Sequence, residues 1–153
     1  MKYAHSIKLT VFSYELEDSQ RILDAFLRLF PFNLEEKKVA LKKADASGFK
    51  EKTITIYETD LRKDSLINQF LENILSKLDK NQKEQILQEI EQRLDDNFNF
   101  ILRFDKDLWS NDNKLILTNT GKCYNLRISI AAFPKKREAA LKVMNELFSK
   151  HIE

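Results

Sequence analysis

Phe98, Phe100, Leu102 and Phe104 stand on every second position, with Asn99, Ile101 and Arg103 between them. Only an extended strand with one buried face fits that alternation, because successive side chains of a strand point to opposite sides. So apolar a face needs a second layer to pack against. Other segments repeat the pattern. Ser6 to Phe12 places Ile7, Leu9 and Val11 on one side, and Thr53 to Tyr57 is β-branched with Ile54 and Ile56 expected inward. Lys114 to Thr118 and Tyr124 to Ala131 read as two more strands joined around Gly121. Lys38 to Lys43 reads as a short strand, although Val-Ala-Leu suits a helix equally, and Ala46-Ser47-Gly48-Phe49 reads as a turn.

The covering layer is legible as period 3.6. Asp18 and Ser19 cap a helix with Ile22, Leu23, Phe26, Leu27 and Phe30, stopped at Pro31. Asp64 or Ser65 opens a second, with Ile67, Phe70, Leu71, Ile74 and Leu78 on one stripe. Asn81 and Glu84 resemble a capping box for a third, burying Ile86, Leu87, Ile90 and Leu94. Pro134 opens the last, with Ala140, Met144, Leu147 and Phe148 apolar. The predicted order is β-α-β-β-α-α-β-β-β-α, an α+β fold whose antiparallel or mixed sheet carries helices on one face. A chain of 153 residues fits one domain spanning residues 1–153.

Period two also predicts the uncovered face of the sheet: Lys8, Thr10, Thr53, Thr55, Tyr57, Arg103, Arg127 and Ser129, with Lys114 at one end. Its cations suit phosphates and Tyr57 a base. It is also an ordinary solvated face, or a surface buried against a second copy, a use that Ile101 and Ile116 on the outward parity favour. The net charge of +2 hides uneven segments. Residues 37–63 hold eight Lys or Arg against four acids, and residues 114–142 hold seven against one. Residues 79–96 hold six acids against three bases. Lys135-Lys136-Arg137 opens the last helix, where cations oppose the helix dipole, so helix stability does not explain them. Solvated surface and phosphate contact both remain open for them. Trp109 sits in an expected loop, either closing the end of a core or stacking on a base.

Several kinds of chemistry lack their residues. The only histidines are His5 and His151, at opposite ends of the chain and far in sequence from Cys123, so no nucleophile–base pair is legible. The single cysteine allows no intrachain disulfide, no Cys/His spacing suits zinc, and Gly48 and Gly121 stand alone. Asp95, Asp96, Asp105 and Asp107 bracket one strand and allow a Mg²⁺-dependent nuclease as a third reading, although Arg103 and Lys106 favour salt bridging there. No cofactor is expected. No apolar run is long enough to span a bilayer, and the first residues show no signal-peptide core, so a cytoplasmic location is expected.

Three stretches carry a resemblance. They are Phe12-Ser13-Tyr14-Glu15-Leu16-Glu17-Asp18 running into a helix, Ala46-Ser47-Gly48-Phe49 ahead of the strand 53–57, and Glu91-Gln92-Arg93-Leu94-Asp95-Asp96 followed by Leu102-Arg103-Phe104-Asp105-Lys106 and the strand 114–117. In this order they resemble the archaeal RNA-binding proteins proposed to associate with the exosome, which share a fold with the ribosomal protein that binds 5S ribosomal RNA. The chain departs from that pattern at Gly48-Phe49-Lys50, which has neither the His nor the second Gly of many members, and at Tyr14-Glu15-Leu16. The resemblance implies a non-catalytic RNA-binding protein, with RNA and exosome components as partners. Arg103, Lys106, Lys114, Arg127, Lys135, Lys136 and Arg137 are the expected phosphate contacts. The rival expectation is a homodimeric interaction or assembly protein.

Overall fold

In the computed structural model, residues 2–47 and 52–150 are described. The elements are β1 (Ala4–Tyr14), α1 (Ser19–Arg28), β2 (Lys42–Ser47), β3 (Thr53–Leu61), α2 (Asp64–Lys77), α3 (Lys80–Gln88), β4 (Asn99–Asp105), α4 (Lys106–Asp112), β5 (Cys123–Ile130) and α5 (Arg137–Ser149). The strands form one five-stranded antiparallel sheet in the order β2-β3-β1-β5-β4. Hydrogen bonds at both ends of the β4–β5 pair, Ile130 N to Phe98 O and Lys106 N to Lys122 O, fix its antiparallel direction.

The α+β class and the expected order of elements hold, with local differences. Lys114 to Thr118 is held to the edge of β4 by a single bridge, Phe104 to Leu117, and by hydrogen bonds from Asp105 N to Ile116 O and Thr118 N to Arg103 O. The expected loop around Trp109 is instead α4. Asp105 caps it, accepting from Leu108 N at 2.9 Å, and Asn113 ends it in the left-handed region at φ 54°. β2 begins at Lys42 and includes Ala46 and Ser47, which were expected in a turn; Gly48 and Phe49 of that turn lie outside the described residues. α3 is capped by Asp79, not Asn81, and Leu94 pairs with Phe100 beyond that helix.

The inward parity of β1, β4 and β5 is as predicted: Ile7, Leu9, Leu102, Phe104, Leu126 and Ile128 are all buried. β3 is the correction. Tyr57, Thr59 and Leu61 point into the core, and Ile54 and Ile56 lie half-buried on the other side. The strand runs nine residues, so burial of its far end fixes the parity and carries Tyr57 inward with Leu61.

The chain divides into two compact units. One holds residues up to Ile7, Leu61–Leu102 and from Arg127 onward; there α3 packs on α5, and Phe100 stacks on Phe148 at 5.6 Å between ring centroids. The other holds Lys8–Asp60 and Arg103–Leu126; there α1 packs on α4. In this second unit the Trp109 indole donates to Ala25 O at 2.8 Å, and the Tyr124 hydroxyl donates to Ile22 O at 3.2 Å.

Candidate functional site

In the unit built on α1 and α4, Arg103 is exposed on β4 between buried Leu102 and Phe104, and Lys114 is exposed just past α4. Lys106 is not available to a ligand. It is 1% exposed, its Nζ pairs with Glu17 Oε1 at 2.7 Å and donates to Phe12 O at 2.9 Å, and it lies 4.9 Å from the Tyr14 ring centroid. Lys106 shares the inward parity of Leu102 and Phe104, so its ammonium is drawn inside and needs a carboxylate there.

In the unit that holds α5, Arg127 is exposed on β5. Lys135 and Lys136 lie exposed just ahead of α5, and Arg137, not Pro134, is its first residue. Arg137 donates to Glu91 O at 2.8 Å and to Leu94 O at 3.4 Å. Lys135 Nζ stands 5.7 Å from the Phe98 ring centroid, and Phe98 is held at φ 63°. The turn beneath it is organised by Asp95, whose Oδ1 accepts from the amides of Asn97 and Asn99. Burial pushes the Asp95 carboxyl up, but those amides, the Asn99 side chain and the charge of Arg127 outweigh it and hold the group below the usual carboxylate range.

Among the described residues, Arg103, Lys114, Arg127, Lys135, Lys136 and Arg137 form no ion pairs, whereas Lys2, Lys122 and Lys150 pair with Asp64, Asp107 and Glu72.

The acidic residues read as possible metal ligands have structural employment. Asp105 caps α4, Asp95 closes its turn, and Asp107 pairs with Lys122 at 2.7 Å. Lys106 therefore bridges to Glu17, not to Asp105. Among the described residues no group of three or more His, Cys, Asp or Glu is placed to hold a metal ion. The Cys123 thiol is buried, and burial pushes its pKa up, which leaves it a poor nucleophile. His5 is exposed on β1, and His151 lies outside the described residues.

The aromatic surface is not where the sequence placed it. Tyr57 is 4% exposed and shares a 2.7 Å hydrogen bond with Ser19 Oγ, so it offers no stacking face. Trp109 is buried as well, with the Arg28 guanidinium over its ring at 5.5 Å. Among the described residues the exposed rings are Phe12 (41%) and Tyr14 (45%), on the outer side of β1, and Phe133 (97%), between β5 and α5. Neither Phe12 nor Tyr14 was among the residues expected on the outer face; the parity opposite Ile7, Leu9 and Val11, carried two residues past the expected end of the strand, is the signal that finds them. Phe133 had only its neighbours, Pro134 and the lysines, as a signal. In the α1/α4 unit the outer side of the sheet carries Lys8, Thr10, Phe12, Ile54, Ile56 and Glu58, with Thr10 Oγ1 donating to Glu58 at 3.1 Å. That surface is mixed, not uniformly cationic.

A family model described as RNA binding matches residues 6–132. An RNA-binding protein of Pyrococcus abyssi is 27% identical over 143 residues, covering 94% of this chain and 92% of its own length. A DUF54 protein of Archaeoglobus fulgidus of known structure superposes with a TM-score of 0.83 at 26% identity, covering 94% of this chain and 99% of that one. Mth689, a DUF54 protein of Methanothermobacter thermautotrophicus, superposes with a TM-score of 0.76 at 23% identity, covering 95% and 98%.

Proposed function

The chain belongs to the RNA-binding family, and from that premise we propose that it binds RNA without catalysis, through phosphate contacts. The observation that carries the reading is that six of the seven expected contacts are exposed and, among the described residues, form no ion pair: Arg103 and Lys114 in one unit, and Arg127, Lys135, Lys136 and Arg137 in the other. A lysine or arginine that forms no ion pair can neutralise a phosphate, and doing so releases counterions condensed on the RNA backbone with a gain in entropy. Lys106 drops out of the set, because its charge is already neutralised inside.

Affinity should fall steeply with salt, with log K against log salt sloping by roughly 0.7 to 0.9 per neutralised phosphate. Replacing Lys135, Lys136 and Arg137 together with Ala should flatten that slope by about two to three if each makes a contact. Unchanged affinity and slope would move the site to Arg103 and Arg127. No binding to any RNA at low salt would end the proposal. Association with exosome components, the finer part of the reading, rests on the sequence resemblance alone. Co-purification of those components with the tagged chain after ribonuclease treatment would support it.

A second reading has its own observation. Phe12, Ile54 and Ile56 give the outer side of the α1/α4 unit an apolar content that suits a protein contact, including one with a second copy. Sedimentation of the purified chain and of an Ile56→Lys variant tests it. Self-association lost in the variant would favour this reading for that surface.

A further inference from the structure

We infer that Phe133, with Lys135 and Lys136, forms a stacking site for an unpaired base of single-stranded RNA. This inference rests on the RNA-binding reading above, but family membership does not assign it, because the family match ends at residue 132.

A phenylalanine 97% exposed buries almost nothing within its own chain, so no packing role accounts for it. Its backbone is nevertheless fixed on both sides. Ala131 N donates to Tyr3 O at 2.9 Å, and Lys136 N donates to Pro134 O at 2.8 Å. Arg137 ties the start of α5 to the carbonyls of Glu91 and Leu94. The ring therefore projects from an anchored segment. Ordering it on a ligand then carries little conformational penalty.

The charge beside it selects the ligand. From Tyr124 to Arg137 the sequence contains no acidic residue, and Lys135 and Lys136 follow the ring by two and three positions. Lys135 is steered by the Phe98 ring, which the Asp95 turn supports. An exposed aromatic face followed within three residues by two lysines that form no ion pair matches an aromatic base joined to phosphates. Duplex RNA hides its base faces in the stack, so only single-stranded or looped RNA can supply one.

The test uses the full chain with a short oligouridylate and with an RNA duplex of equal length. Wild type, Phe133→Ala and Phe133→Trp are compared for affinity, salt slope and thermal midpoint. Phe133→Ala should weaken single-strand binding by about 5- to 150-fold, equivalent to the ~1 to 3 kcal/mol of one stacked base. Its salt slope, duplex affinity and thermal midpoint should stay at wild-type values, and Phe133→Trp should bind like wild type or better. If wild type binds the oligouridylate and Phe133→Ala binds within twofold of it, the stacking site is overturned and the phosphate reading stands. Equal weakening of single strand and duplex also overturns it, as does an unchanged RNA affinity accompanied by lost self-association, which would assign the ring to a protein contact. Absence of RNA binding by wild type overturns both readings.

Discussion

Lys106 shows how one buried charge alters what a surface can do. Its ammonium is neutralised by Glu17 and accepted by the carbonyl of Phe12, and it underlies the ring of Tyr14. Lys106→Met should leave Glu17, which is partly exposed, without its partner, and should destabilise the fold by ~2 to 4 kcal/mol in urea unfolding. The same variant should leave the salt slope of RNA binding unchanged, because this lysine reaches no solvent. Tyr124 makes a second prediction. Burial pushes its pKa up to about 12, against the opposing hydrogen bond to Ser110. A group whose folded pKa is raised contributes stability fully below its ordinary value near 10 and loses it as pH rises toward 12. Alkaline unfolding across that window, followed by far-ultraviolet circular dichroism, should be less steep in Tyr124→Phe. Single residues were legible where a parity was already fixed, as for Leu102 and Arg103. They were illegible where polarity misled: Tyr57 and Lys106 carry polar tips and were assigned to solvent, yet each finds a buried partner.

At the scale of elements, length decided what the sequence disclosed. α2 holds 14 residues, and Ile67, Phe70, Leu71 and Ile74 from its predicted stripe are all buried. Leu71→Ala should therefore cost ~2 to 5 kcal/mol as a core cavity, measured by chemical denaturation. A loss under half a kcal/mol would mean that the stripe is not packed. α4 holds seven residues, too few for a period of 3.6 to declare itself, and Asp105, its cap, was read only as a possible metal ligand or salt-bridge partner. Asp105→Ala should lower stability by ~0.5 to 2 kcal/mol, through loss of the cap at Leu108. The expected strand at 114–118 had the right alternation but meets a single bridge on β4, because α4 takes up the chain ahead of it. Local pattern specifies a tendency to extend; a partner edge specifies how far the ladder runs.

For the molecule as a whole, the order β2-β3-β1-β5-β4 was the least legible feature, since pairing joins residues far apart in sequence and no short-range pattern encodes it. The cation set was legible as composition. Which cations remain unpaired depended on where Glu17, Asp64, Asp107 and Glu72 came to lie. The two borders of the sheet also differ. β4 is partly closed by the Leu117 bridge, whereas β2 ends the sheet with all six of its residues exposed and presents Lys42, Lys43 and Asp45. A terminal strand with free amides and carbonyls is a template for strand addition, and lysine on it is the usual deterrent, because a second copy would bring like charges together. A short charged border of this kind opposes edge-to-edge joining of copies. Lys42→Val with Lys43→Thr should leave the melting temperature nearly unchanged and yet make light scattering rise with concentration, as copies join edge to edge.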